Sequence, residues 1–418
     1  MKKSFIAVFI LAGAIISGHS QSFTAYMLVA PEAYLEDVHK ISILDFDGRM
    51  GTAMTDYLAA ELMQEFRGTG GKSGGNYFSA GKSINNFQKG ARTNVFSLVE
   101  RSELDKVLRE QNISNSGLID DSQAAQIGKL LGIDAMITGS VAYSHQDEQK
   151  TLTYTDLNGN KKYSYCTTRT VTAEGHLKII NVNTGQIIGT TVKTTSYSDK
   201  KCDDKRSTLF SVEELAKVCY DGLATKLANY FTPVFLPMEY EFEKIKDKEY
   251  KEKGKLAMDY LESGDLNNAF SIYKSIYDID PYNSAASSNI ARLYRIAGNY
   301  EKAREYYALA AEVDEVTYAP LVQAAIREKE MLSLFEGYGI NIEQTDFIQK
   351  SDALAERVTT RGNKSDKYDV RVNPDQTSDV VAKVPGSTEF TVIEKQGEYY
   401  LIKLLGGKQG YIHDDYVK

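Results

Sequence analysis

The sequence predicts a multidomain α+β chain with three parts in series. An N-terminal α/β unit sets a sheet among flanking helices, an α-helical repeat pair follows, and a small β-barrel closes the chain. Three observations predict this. Strand-like and helix-like apolar patterns alternate through residues 38–232. A period of 34 residues relates two helical stretches between positions 250 and 335. Short alternating strands separated by turns recur from 366 to 418.

Composition sets the bounds. The 418 residues are 42% apolar and 25% charged, as in globular proteins. At about 150 residues per domain, the length fits two or three domains. Lys and Arg number 49 against 57 Asp and Glu, a net charge of -8. A broad nucleic-acid surface needs an excess of cations to release counterions from phosphates, so no nucleic-acid partner is expected. Three cysteines exclude a disulfide-framework miniprotein and a four-cysteine zinc site. Trp is absent and Tyr reaches 28, which predicts Tyr at many half-buried aromatic positions.

Residues 1–20 read as a secretory signal peptide. Lys2 and Lys3 precede an apolar run over 5–16, and the small residues Ser17, Gly18 and Ser20 follow. The run is shorter than the ~20 residues that span a bilayer. The segment lacks Cys, so no lipidated cysteine is expected at its cleavage site. The expected location is periplasmic or outer-membrane-associated. In an exported chain, Cys166, Cys202 and Cys219 are free to oxidise. Cys166 and Cys202 lie in polar strand-and-loop sequence, whereas Cys219 lies in an apolar helical pattern. The expected bridge is Cys166 to Cys202 with Cys219 a buried thiol, and the alternative is three unpaired thiols.

Within 38–232, His39 to Phe46 reads as a buried strand, and Met54, Tyr57, Leu58, Leu62 and Phe66 fall at helical spacing. Residues 67–93 read as a long loop and 94–99 as a second strand. Ser102, with Asp105, is expected to cap a helix carrying Leu104, Val107 and Leu108. Ser122 is expected to open another, ended by Gly132 in a left-handed conformation. Residues 135–138 return as a strand. Long strands are expected over 170–182 and 186–195, joined by a turn at Asn183-Thr184-Gly185, and a helix over 211–231 closes the unit.

Residues 41–46 (ISILDF), 98–141 and 180–190 (INVNTGQIIGT) together resemble the CsgG family of curli production assembly and transport components. Glu100-Arg101, Leu104, Leu108, Glu110-Gln111, Gly128, Gly132, Asp134 and Gly139-Ser140 carry the likeness. Related domains are similar to periplasmic activators of peptidoglycan synthases, so the resemblance implies a cell-envelope domain that self-associates or docks a partner. In the pore-forming members each subunit is thought to contribute two hairpins to a shared barrel. Here the candidates are 151–168 and 193–208. A lipid-facing strand needs one continuous apolar face, and the segment 199–206 carries seven charges. The second candidate is therefore expected to be a surface loop. From the residues alone, Glu100 and Arg101 are expected to pair with each other at a strand end.

In the helical part, Leu256, Ala257, Tyr260, Gly264, Ala269 and Tyr273 recur as Ile290, Ala291, Tyr294, Gly298, Ala303 and Tyr307. The pattern is similar to tetratricopeptide repeats, with Ala257, Tyr260, Ala269, Ala291, Tyr294 and Ala303 as packing residues. Residues 244–335 are assigned to this unit, with 244–255 as a charged first helix and 321–335 as a cap. Such stacks bind a peptide or partner protein in their concave face, and envelope proteins are the expected partners; a rigid spacer is the alternative. Residues 336–365 are assigned as a linker.

Residues 366–418 resemble the bacterial SH3-like domain through Val370-Arg371, Asn373-Pro374, Val384, Gly386, Tyr399-Tyr400 and Gly410-Tyr411-Ile412. The family places Trp where Tyr399 and Tyr411 stand. The resemblance implies cell-wall peptide binding, with Tyr368, Tyr400 and Tyr411 as candidate groove residues; core packing is the alternative.

Catalytic patterns are weak. The segments GGKS (70–73) and AGKS (80–83) lack the first Gly of a phosphate loop, having Phe66 and Asn76 there. Asp45 and Asp47 could meet a cation at a strand end, but a third ligand is lacking, so a satisfied strand end is expected. No H-E-x-x-H pattern occurs, and no nucleophile elbow on a strand-to-helix turn supports a Ser/His/Asp triad. The reading is a non-catalytic envelope scaffold without cofactor or metal, forming homo-oligomers. The alternative is a subunit of an outer-membrane curli-type secretion pore.

Overall fold

The computed structural model describes residues 21–35, 37–68, 87–111, 120–203, 208–349, 357–404 and 408–418. The expected signal peptide, both GKS segments and the Gly406-Gly407 turn lie outside these. The fold is α+β. In the first half the elements are β1 (Gln21–Val29), β2 (Lys40–Ile43), α1 (Gly51–Leu62), β3 (Ser97–Leu98), α2 (Arg101–Glu110) and α3 (Asp121–Leu131). β4 (Ala135–Thr155), β5 (Lys161–Asn181), β6 (Ile187–Cys202), α4 (Val212–Phe231) and β7 (Val234–Phe242) complete it.

Five strands form one mixed sheet in the order β3-β2-β4-β5-β6. β2 runs parallel to β3 and β4, while β4, β5 and β6 form an antiparallel meander. Helices α1 and α4 cover one face, burying Met54, Leu58, Leu223 and Leu227 against Ile137, Val171 and Leu177. Helices α2 and α3 cover the other face at the strand ends, where Leu104, Leu108 and Ile127 meet Met136 and Ile180.

Capping differs in detail from expectation. Glu100, not Ser102, sits at the N-cap of α2, and no side chain caps it. Asp120 rather than Ser122 caps α3, in a reciprocal capping box with Gln123, and Gly132 ends the helix with φ 61°. Ser211 and Glu214 box α4 in the same way.

Strand lengths differ most. β4 and β5 each have 21 residues. At ~3.3 Å per residue such a strand is about 70 Å long. The segment 193–202, expected as a loop, is the outer part of strand β6, paired with β5 out to Cys202. Its charges sit on cross-strand rungs. Asp147, Arg169 and Asp199 are neighbours, with Arg169 Nε donating to Asp147 Oδ1 at 2.9 Å. A strand tolerates such density when opposite charges face each other and both faces meet water. The meander extends past the start of α4, because Phe210, two residues before that helix, is held at this rung by Arg169 and Asp199.

The helical half comprises α5 (Lys251–Glu262), α6 (Leu266–Ile279), α7 (Ser284–Ile296), α8 (Tyr300–Val313) and α9 (Glu315–Gly337). Asp265, Asn283, Asn299 and Asp314 cap the last four through side-chain oxygens. The expected charged helix over 244–255 starts only at Lys251. The cap is longer than expected, beginning at Glu315 ahead of Pro320.

β1 pairs antiparallel with β7 over nine residues, from Gln21–Phe242 to Val29–Val234. Ala25, Met27, Tyr240 and Phe242 face the repeats. Tyr26, Leu28 and Phe235 face Phe335, Tyr338, Ile340 and Ile342. Residues 338–342 are thus packed rather than part of a linker: Tyr338, Ile340 and Ile342 are buried, and β8 begins at Arg357 within the same expected linker.

The last part contains β8 (Arg357–Thr359), β9 (Lys367–Arg371), β10 (Val380–Pro385), β11 (Glu389–Gln396), β12 (Tyr399–Lys403) and β13 (Gln409–His413), in the order β10-β9-β13-β12-β11-β8. The sheet curls, since Val358 on β8 and Val384 on β10 share one core with Val370, Val392, Ile402 and Ile412.

Ala303 is fully buried among the repeat helices. Ala303→Phe should therefore overpack the stack and cost ~1–3 kcal/mol. Urea unfolding of both chains checks this; an unchanged midpoint would place Ala303 outside a close contact.

Candidate protein-docking site

The repeats offer two surfaces, both engaged by the chain itself. The first is built by α5 and α7, which meet the β1–β7 ribbon. On α7, Asn289 reads the backbone of Glu243: its Nδ2 donates to Glu243 O at 2.8 Å, and its Oδ1 accepts from Glu243 N at 2.9 Å. Ser288 Oγ donates to the Glu243 carboxylate at 2.9 Å, Tyr318 O–H at 2.8 Å, and Arg292 lies 3.2 Å from it. Deeper, Arg295 donates to both oxygens of Glu328 and lies 5.5 Å over the Tyr240 ring. Such a buried pair holds the geometry of α7 on α9, since removing one partner would strand a charge.

The second surface is an aromatic strip between α6, α7 and α8. Tyr294 stacks on Tyr306 with centroids 5.8 Å apart, and Tyr306 meets Tyr277 edge-on at 5.7 Å. Phe270 meets Tyr294 at 5.5 Å. Burial pushes the Tyr306 phenol up to about 12, with Tyr277 and nearby carboxylates adding to it. Tyr294 is pushed up further by burial and by Asp346, whose carboxylate accepts its O–H at 2.7 Å. The chain after α9 lies along this strip.

The expected packing residues divide. Ala257, Ala269, Ala291 and Ala303 are fully buried, and Tyr294 nearly so. Tyr260 is half-buried, with the Arg357 guanidinium 4.9 Å over its ring. The sequence reading did not single out Phe270, Tyr306, Asn299, Asp346 or Phe347. Phe270 and Tyr306 sit in the repeats outside the recurring positions, and the last two fall in the expected linker.

In the C-terminal sheet, the three expected groove tyrosines do not converge. Tyr368 pairs opposite Val384, and Tyr400 opposite Ile412, so both lie on the core face. Tyr411 pairs opposite Leu401 and lies on the other face. Lys395 donates to the Tyr400 hydroxyl at 2.9 Å. A different aromatic group forms at one end: Tyr368–Tyr416 at 5.3 Å, His413–Tyr416 at 5.9 Å and Tyr399–His413 at 4.8 Å. Asp414 and Asp415 bring carboxylates near His413, but its Nδ1 already accepts the Asp415 N–H at 3.2 Å.

In the α/β unit, the residues of the resemblance mostly build the sheet. Asp134 accepts from the backbone N–H groups of His39 and Lys40 at 2.9 and 2.8 Å, tying β2 to β4. A side chain at Gly139 would strike Phe46, and one at Gly128 would strike Val182. Arg101 does not pair with Glu100; it forks onto Asp45 and donates to Asp56 at 2.9 Å. This also engages Asp45, so the Asp45–Asp47 strand end is a satisfied one. Cys166 and Cys202 stand directly opposite on β5 and β6 and are joined as a disulfide. Cys219 is buried as a thiol that donates to Val171 O at 3.3 Å, and burial pushes its pKa up.

The three parts match three families in order. Residues 79–205 match CsgG, the curli production assembly/transport component; 260–326 match the tetratricopeptide repeat; 368–418 match the bacterial SH3 domain. These families are of binding or scaffold type. No curated protein matches the chain. Among solved structures, the LpoB C-terminal domain from Salmonella enterica is 17% identical, with a TM-score of 0.15 over 24% of this chain; this chain spans 56% of its length. Lipoprotein GNA1162 from Neisseria meningitidis is 12% identical over 46% of this chain and 99% of its own, with a TM-score of 0.21. The PelC dodecamer from Paraburkholderia phytofirmans is 11% identical over 50% of this chain and 98% of its own, with a TM-score of 0.17.

Two measurements test the physical reading of these surfaces. Burial raises Tyr240, Tyr273, Tyr300, Tyr318 and Tyr338 above the ordinary phenol value of 10.0. Native phenols then hold protons that unfolded ones release, so stability is full below pH 10 and falls as pH rises above it. Urea midpoints across that range should decline while native phenolate absorbance lags; a flat profile would contradict the burial. Reducing the Cys166–Cys202 bridge should free the outer end of β6. Hydrogen exchange should quicken at residues 198–202 and stay unchanged at Val171 and Leu177, which α4 covers.

Proposed function

We propose that this chain is a non-catalytic scaffold of the bacterial cell envelope. The observation that carries the reading is the series of three binding modules, CsgG-like, tetratricopeptide and SH3-like, matched in that order. Residues 1–20 direct export, giving a periplasmic or outer-membrane-associated protein. The domains are the α/β unit at 38–232, the repeats at 244–335 and the barrel at 366–418, to which β8 adds an edge strand. The repeats dock envelope proteins, the SH3-like part touches peptidoglycan peptides, and the α/β unit self-associates. The position of β6 at the outer edge of its sheet supports self-association, because an edge strand offers unpaired peptide groups.

One observation favours the alternative, an outer-membrane pore subunit. β4 and β5 are longer than the ~9–11 residues that span a membrane. Charge weighs against it. One face of the meander carries Asp147, Arg169, Lys193, Asp199 and Lys201, and the other carries Glu148, Lys150, Glu174, Lys178 and Lys200. A lipid-facing Lys or Arg at the bilayer midplane costs ~2–4 kcal/mol. Neither face is therefore suited to hydrocarbon.

Purified chain lacking residues 1–20 should stay in solution without detergent and give no channel steps in planar bilayers. Reproducible steps that vanish when 151–168 is deleted would replace the scaffold with the pore.

A further inference from the structure

We propose that the aromatic strip between α6, α7 and α8 docks an extended partner segment in which an acidic residue directly precedes an aromatic one, and that residues 343–348 hold the strip as a displaceable ligand in cis. This rests on the reading of the repeats as a protein-docking module and adds the chemistry of what they dock.

After α9 the chain turns at Gly339, φ 70°, and runs back over the repeats. Gln344 Nε2 donates to Gly298 O at 3.2 Å, and Asn299 Nδ2 donates to Thr345 O at 3.1 Å. Tyr294 O–H donates to Asp346 at 2.7 Å. The Phe347 ring stacks on Phe270 at 5.1 Å, with 24° between planes, and stands 5.0 Å from Tyr294. Asn299 reads a backbone carbonyl and so accepts any sequence there. Tyr294 and Phe270 read the acid and the ring. This division between backbone and side-chain contacts is how extended peptides are recognised. A carboxylate suits the Tyr294 hydroxyl best, because a bond to a charged acceptor is about twice as strong as a neutral one.

The segment is held lightly. Ile340 and Ile342, just before it, are 1% and 4% exposed in the core beside the β1–β7 ribbon. Beyond them no helix or strand forms between 340 and 349, Asp346 is exposed, Phe347 is only half-buried, and Ile348 is 74% exposed. Opening uncovers Phe270 and Tyr294, each 3% exposed, so the segment leaves most readily when a second segment covers them in its place. The strip also continues past the segment: Tyr306 and Tyr277 extend it from Tyr294, and both remain partly exposed. A longer ligand has somewhere to go. While the tethered segment is bound, a free peptide binds only the open fraction, so its apparent affinity is lowered by that fraction.

The test uses the full chain and a fluorescent peptide of residues 341–349. The double variant Asp346→Ala/Phe347→Ala should bind this peptide roughly tenfold or more tightly than wild type, as expected when a cis competitor is removed. Peptides with Phe347→Ala or Asp346→Ala should lose binding to the variant. On wild-type chain, excess peptide should quicken hydrogen exchange at residues 343–348, a readout that needs no variant to fold. Equal binding by both chains, or indifference to Phe347→Ala in the peptide, would overturn the proposal. So would concentration-dependent dimerisation of wild type that the double variant abolishes, since the occupant would then be a second copy. Should the peptide fail while chain variants still capture the same envelope proteins as wild type, this site is wrong and the scaffold reading stands.

Discussion

The pairing of β1 with β7 is the constraint on which the arrangement of the described residues depends. It joins residues 21–29 to 234–242, so both ends of the α/β unit meet in one two-stranded ribbon. A two-stranded ribbon is marginal alone in water. Here both faces are buried, one against the repeats and one against the residues that follow α9. The alternation of strand side chains makes this possible, sending Ala25 and Met27 one way and Tyr26 and Leu28 the other. Polar ties reinforce it. Gln88 accepts from Leu28 N and donates to Tyr300 O–H, both at 2.7 Å. Tyr338 O–H donates to Phe231 O at 3.1 Å and accepts from Leu35 N at 3.2 Å. Buried Arg67 reaches Asn229, Thr232 and Pro233, and its desolvation lowers its pKa to about 10.

This ribbon changes what the repeats are for. Two repeats expose little groove, and the face of α5 and α7 is committed to β1–β7, with Asn289 clamping the backbone of Glu243 as it would a bound peptide. The repeats therefore serve first as a brace for the α/β unit. What the ribbon leaves uncovered is the aromatic strip, along which residues 343–348 lie.

The β4–β6 meander shows a different use of charge. Its outer half has little apolar burial, yet stays paired through opposed charges, hydroxyl pairs such as Thr170–Ser198 at 2.7 Å, and a terminal disulfide. Water on both faces makes these interactions affordable. The same charges would be costly on a lipid-facing strand.

The α+β order, the helical period, the buried alanines of the repeats and the turn-rich C-terminal strands were legible in the sequence, because each is written in local periodicity. The pairing of Cys166 with Cys202 was legible only as a preference, since spacing alone does not place two cysteines on one rung. Four features needed the tertiary structure. The charged 193–202 segment is a strand because β5 pairs with it along its length, setting Asp199 against Arg169 and Cys202 against Cys166. Residues 338–342 are core because the ribbon gives them a surface to pack on. Arg101 finds Asp45 and Asp56 rather than its neighbour Glu100. Tyr411 parts from Tyr368 and Tyr400 because strand register sets the face of each. In the first three the deciding partner is distant in sequence, and local pattern carries no record of which distant surface a segment will meet; in the fourth it is the register of the β12–β13 pair.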